Sequence, residues 1–162
     1  MHILLGALPH VDGPTPLKHL VIGVGNSFRR DDGVGLAVAD EIARLALPDI
    51  EVMTAIGEPG AILDAWSGVP STIVIDAAVG DGASPGRIRR WAPDDATMSA
   101  VSSHALGLPA TYALGQVLGR IPDELIVLTV DVTEVGYGDG LTSQIAAAVP
   151  RVVSRVLSEI GR

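Results

Sequence analysis

The chain has 162 residues and a mass of 16.7 kDa, enough for one well-filled core and too little for two. A formal charge of −8, with the arginine clusters limited to the dipeptides Arg29-Arg30 and Arg89-Arg90, offers no basic surface to neutralise phosphates, so no nucleic acid is expected as a partner. The absence of cysteine removes disulfides, thiolate metal sites and cysteine nucleophiles together, and any metal must be held by His, Asp, Glu or backbone oxygen.

Residues 1–18 carry a short apolar run broken by Pro and Gly, with neither a basic leader region nor a small-residue cleavage site. They read as a flexible N-terminal extension to one domain over residues 19–162. No apolar run approaches the roughly 20 residues that cross a bilayer, and with no cysteine the expectation is a soluble, cytoplasmic protein without a membrane partner.

From there strand and helix patterns alternate. Leu20 to Val24 is a strand, followed by a helix from about Gly33 to Leu47 whose Val34, Val38, Ile42 and Leu45 recur at helical spacing and face the sheet. A strand at Glu51 to Ala55, a short helix from about Gly60 to Trp66 and a strand at Thr72 to Ile75 complete a βαβαβ start. "RIRRW" after Pro85-Gly86 alternates like an exposed edge strand, and a polar loop runs on to Ser103. A helix over about Ala105 to Leu118, a buried strand at Glu124 to Val130 and the loop "DVTEVGYGDG" come next. The last helix repeats Ile145, Ala148, Val149, Val152, Val153, Val156, Leu157 and Ile160 at a 3.6 period, with Thr142 or Ser143 as cap and Gly161 as stop. Pro150 is expected to kink it or mark a restart. The fold class is α/β: three layers, with an open, mainly parallel sheet and helices on both faces.

In such sheets a ligand sits outside the carboxyl ends of the strands, near the switch in strand order. Asp31-Asp32 follow the first strand in "GVGNSFRRDDGVG", Asp76 ends the third in "TIVID", and His104 lies in "VSSHALGL" at the mouth of a helix. Each has a plain structural reading as well: Asp32 as a helix cap, Asp76 as a turn cap, His104 as a hydrogen-bonded capping or surface histidine. Taken together, two carboxylates and an imidazole make a hard-to-borderline metal site open to further ligands. Competing motifs fail more clearly. Phe28 stands where a dinucleotide fingerprint needs its third glycine, and the acid pair would face a pyrophosphate. There is no His-Glu-x-x-His, no Gly-x-Ser-x-Gly, and no Asp-Thr-Gly or Asp-Ser-Gly. Ser102 and Ser103 adjoin His104 in the chain, which is poor geometry for a nucleophile and its base, and read as loop residues.

The set "VIGVGNSFRRDDGVG", Gly57 and Gly60 after the second strand, "VIDAAVG" and "SSHALGL" resembles the nickel–iron hydrogenase maturation endopeptidases, from about residue 19 to the C-terminus. The resemblance implies a twisted sheet of five strands between helices. It implies that Asp32, Asp76 and His104 contact a metal, and that the protein is a hydrolase, an endopeptidase that activates its partner by processing. The substrate implied is the precursor of a nickel–iron hydrogenase large subunit, from which a short C-terminal peptide is removed once nickel is in place. The nickel belongs to that substrate and is not required to stay on the free enzyme. The metal would polarise the scissile carbonyl or activate a water, or else Asp31 or Asp32 would act as general base in aspartic-type fashion. The Pro-rich start and the loop Asp131 to Gly140 depart from the family pattern; Asp131 and Glu134 are candidates for a further ligand or substrate contact, against a plain reading as solvated loop residues. A non-catalytic, nickel-sensing or metallochaperone-like module is the alternative, and a degenerate nucleotide-binding domain a third reading; the protein is expected to be a monomer.

Overall fold

The computed structural model describes residues 13, 15–93 and 108–162. Its elements in chain order are β1 (His19–Val24), a 3-10 turn (Arg30–Gly33), α1 (Val34–Arg44), β2 (Ile50–Ala55), α2 (Pro59–Trp66), β3 (Ser71–Ala78), β4 (Ile88–Trp91), α3 (Leu108–Leu118), β5 (Glu124–Asp131) and α4 (Ser143–Glu159). The strand order is β2-β1-β3-β5-β4. All neighbours are parallel except β4, which pairs antiparallel with β5 at the edge. This is the three-layer α/β sheet expected, including the edge position of "RIRRW".

Every residue of β3 is buried, as a strand covered on both faces must be. On one face α1 and α4 pack Val34, Val38, Ile42, Ile145, Val149, Val152 and Val156 onto Val21, Ile73, Ile75 and Leu128; on the other, Ile62, Leu63 and Trp66 of α2 and Leu108 of α3 cover Leu20, Ile22, Val74 and Val127. The buried Trp66 ring keeps its polar end satisfied by donating Nε1–H to the carbonyl of Arg120 at 2.9 Å.

Two expectations change. Leu45 does not join the buried face of α1 but stands 48% exposed, because the helix ends at Arg44 and Ala46 turns left-handed at φ 49°, which swings the chain off the sheet. Pro150 marks no restart, since α4 runs as one helix from Ser143 to Glu159. The residue lies on the exposed side, where water can serve the carbonyl its missing N–H leaves free.

The chain crosses from the β2 side of β1 to the β3 side at the middle of the sheet, so the carboxyl ends of β1 and β3 form the switch point. There α1 lies unusually close to the strands. A Cβ on Gly23 would sit 2.3 Å from the carbonyl oxygen of Gly35, and one on Gly35 would sit 2.5 Å from those of Val24 and Ile75. Gly25 completes the approach: a Cβ there would lie 2.1 Å from the backbone oxygen of Asp32. Side chains are excluded at these points by backbone, which cannot rotate away.

Substitution Gly35→Ala should therefore destabilise the fold by about 3 kcal/mol or prevent its accumulation. Gly60→Ala, in α2 with nothing within 4 Å of the new carbon, should stabilise it by roughly 0.5–1 kcal/mol. Urea unfolding midpoints decide both; equal effects at the two positions would refute the close-packing account.

Candidate active site

The loop after β1 is drawn back over the strand end by its own short-range bonds. Asn26 accepts the N–H of Phe28 on Oδ1 at 2.9 Å, and the N–H of Asn26 is donated to Oδ2 of Asp32 at 3.0 Å. Arg30 then takes a left-handed conformation at φ 46°, costly for a residue with a side chain, and the 3-10 turn that follows sends the two neighbouring acids to different places.

Asp31 turns to α4. Its Oδ1 accepts the backbone N–H of Thr142 at 2.7 Å, and the Thr142 hydroxyl lies 3.1 Å from Oδ1 and 2.9 Å from Oδ2. Thr142 is the N-cap residue of α4 yet caps nothing with its own side chain. The cap is supplied instead by a carboxylate distant in sequence, where the helix dipole favours negative charge. Asp31 is 1% exposed, and both of its oxygens are taken up by this link.

Asp32 turns to the crevice. It does not cap α1, whose N-cap is Gly33 without a side-chain bond. Its Oδ2 holds the Asn26 N–H and its carboxylate lines a cavity of about 80 Å³ with Val24, Gly25, Asn26, Arg29, Ile56 and Asp76. Asp76 reaches the same cavity from within β3, where it pairs in register with Thr129 of β5. Its Oδ1 accepts the N–H of Ala77 at 2.8 Å. Burial at 3% exposure pushes the Asp76 carboxyl well above the usual carboxylate range; the Ala77 N–H pulls the other way, and the neighbouring charge of Asp32 adds to the rise.

The structure thus brings Asp32 and Asp76 together and assigns Asp31 to a separate contact. His104, Ser102 and Ser103 lie outside the described residues. Among the described residues no group of three His, Asp or Glu is spaced to hold a metal ion, so Asp32 and Asp76 supply two donors there and a metal would need others.

Asp131 stands differently from either reading of it. It is the last residue of β5 and 1% exposed; its Oδ2 accepts from Arg89 at 2.9 Å and from the Ser84 N–H at 3.1 Å. The strand runs one residue past Val130 because Asp131 is still paired with Ala78. Glu134 is exposed, and its backbone oxygen accepts the Asp31 N–H at 3.0 Å. The segment after β5 serves the site indirectly: Gly138 exchanges backbone bonds with Phe28 and Arg30, and the Val135 carbonyl accepts Arg29 Nε at 3.2 Å. Arg29 is the site residue that sequence reasoning passed over, and its place immediately before the acidic turn was the available signal.

The family model HycI, described as hydrogenase maturation protease, matches residues 38–159. Among curated proteins, the Hydrogenase 3 maturation protease of Escherichia coli strain K12 is 30% identical over 142 residues, covering 86% of this chain and 89% of the relative. The hydrogenase expression/formation protein HupD of Bradyrhizobium diazoefficiens is 26% identical over 152 residues, covering 88% and 79%. Among solved structures, the hydrogenase maturating endopeptidase HybD from E. coli superposes with a TM-score of 0.77 at 22% identity, over 90% of this chain and 94% of that one. Among the described residues, no helix is long and apolar enough to cross a membrane.

Two measurements follow from the split roles of the acids. Asp31→Ala should cost about 2–3 kcal/mol in urea unfolding, since it strips the partly buried donors of Thr142 of a charged acceptor. Combined with Thr142→Ala it should show a coupling energy of about 1 kcal/mol or more; strict additivity would disprove the link. For Asp76 the sign is opposite. Folding raises its pKa, so the stability it contributes is present below the unfolded value of about 3.9 and is lost as pH rises through the folded value. Asp76→Asn should therefore raise Tm at pH 7 by roughly 2–4 °C per kcal/mol of penalty relieved, and the gain should vanish below about pH 4. No gain at pH 7 would contradict the burial account.

Proposed function

The chain belongs to the hydrogenase maturation protease family, and on that premise we propose that it is the endopeptidase that removes a short C-terminal peptide from the precursor of a nickel–iron hydrogenase large subunit after nickel insertion. The observation that carries this reading is the convergence of Asp32 and Asp76 in one crevice at the switch point, each with only one carboxylate oxygen bonded within the described residues.

The nickel is part of the substrate. Asp32, Asp76 and His104 dock it, which agrees with a site that offers two carboxylates and no sulfur. Burial and the nearby charge of Asp32 oppose ionisation of Asp76, and an arriving cation favours the ionised carboxylate as a ligand. Recognition is thereby tied to the charge that the loaded precursor brings and the metal-free precursor lacks. The docked ion then polarises the scissile carbonyl or lowers the pKa of a water beside it. Asp31 contributes by keeping the turn that aims Asp32, not by touching substrate.

Intact-mass spectrometry of nickel-loaded and metal-free precursor, incubated with this protein or with its Asp76→Asn and His104→Ala variants, tests the proposal. The expected result is loss of a single C-terminal peptide from the loaded precursor alone, with the rate reduced at least a hundredfold in either variant. Equal cleavage of metal-free precursor would remove nickel as the signal. No cleavage of a loaded precursor from the source organism would overturn the proteolytic role in favour of a binding module.

A further inference from the structure

The chain has one phenylalanine and two tyrosines, and it spends two of these three rings in water. Phe28 is 69% exposed, Tyr137 is 90% exposed, and Ile56 between β2 and α2 is 76% exposed. One of them lines the crevice, and the other two sit on the backbone beside its lining residues. Ile56 lines it beside Asn26 and Arg29. Phe28 belongs to the loop that carries Asp32, and Tyr137 precedes Gly138, whose N–H is donated to the Phe28 carbonyl at 2.9 Å.

This exposure is not looseness. The Phe28 N–H is tied to Asn26 Oδ1, the Arg30 N–H to the Gly138 carbonyl at 3.0 Å, and Arg29 Nε to the Val135 carbonyl. Large apolar side chains held outward on fixed backbone, around a concave polar site, are the pattern of a recognition surface. The charge fits the same picture: in a chain of net charge −8, Arg29 lines the crevice and the exposed Arg30 follows it in the same loop. Aromatic rings flanked by guanidinium groups complement an extended peptide with apolar side chains that ends in a carboxylate.

We infer that Phe28, Ile56 and Tyr137 form a docking rim for the C-terminal segment of the hydrogenase large-subunit precursor, laying it across the mouth so that its scissile bond passes Asp32 and Asp76. The inference rests on the proteolytic reading above and adds to it where the substrate chain lies. The rim acts by holding the segment, so its loss weakens binding and leaves the chemical step alone.

The test pairs Phe28→Ala/Tyr137→Ala with a control, Leu114→Ala/Val117→Ala, which removes exposed apolar side chains from α3 instead. With nickel-loaded precursor, the rim variant should raise KM about tenfold with kcat within about twofold, as loss of two aromatic anchors predicts; the control should match the parent protein. A fluorescently labelled synthetic peptide of the precursor's C-terminal segment, titrated by anisotropy onto Asp76→Asn with and without the rim substitutions, reads binding apart from cleavage. Unchanged KM and unchanged peptide affinity would overturn the rim while leaving the protease standing. Rim-dependent peptide binding without any cleavage would keep the rim and remove the protease. A parent protein that sediments as a dimer, with a monomeric rim variant of unchanged KM, would show that the surface joins two copies of this chain and would overturn the inference.

Discussion

The approach of backbone to backbone at Gly23, Gly25 and Gly35 is what the rest of the site depends on. Because no side chain intervenes, the start of α1 rests directly on the ends of β1 and β3, and the loop between β1 and α1 is pressed over the switch point. A longer separation at this spot would lift Asp32 away from Asp76 and open the crevice to bulk water. The glycine-rich loop therefore serves a different end from the phosphate-cradling turns that its first residues suggest. It brings a carboxylate, not a row of free N–H groups, to the strand end.

Two adjacent acids with opposite assignments make the arrangement durable. Asp31 spends its charge on the N-terminus of α4, across the molecule in sequence and next door in space. That contact, together with the backbone bonds from Glu134, Val135 and Gly138, fastens the loop at its outer side. Asp32 is then free to present its carboxylate inward with one supporting N–H. The segment after β5, which has no legible motif, is the buttress of the site.

The site carries an energetic cost that its fold absorbs elsewhere. Asp76 is buried at the crevice end of the central strand, with one N–H bonded to it among the described residues and a second carboxylate nearby. A structure selected only for stability would place an apolar residue here, among Ile75, Ala77 and the rest of β3. The surrounding core of Val, Ile and Leu on both faces of the sheet supplies the margin that tolerates it.

Much of this was legible in the residues. Alternating apolar runs and helical periods gave the five strands, the helices and their order, because period and burial are local consequences of which side chains avoid water. The strand-end rule pointed to the Asp31-Asp32 pair, Asp76 and His104, since it depends only on topology, and it did not choose between the two adjacent acids. Helix limits at Leu45 and Pro150 were less legible, because a left-handed turn and a solvated face leave no mark in hydrophobic spacing. The fates of Asp31, Asp131 and Arg29 were not legible at all. Each is decided by partners far away in the chain, Thr142, Arg89 and Val135, and sequence distance carries no information about which donor folding will bring within reach. The sequence by itself determined the sheet, its switch point and the acids that end its strands; only the tertiary structure decided which acid faces the crevice and which holds the helix, because that choice is made by hydrogen bonds between segments that meet only when the chain is folded.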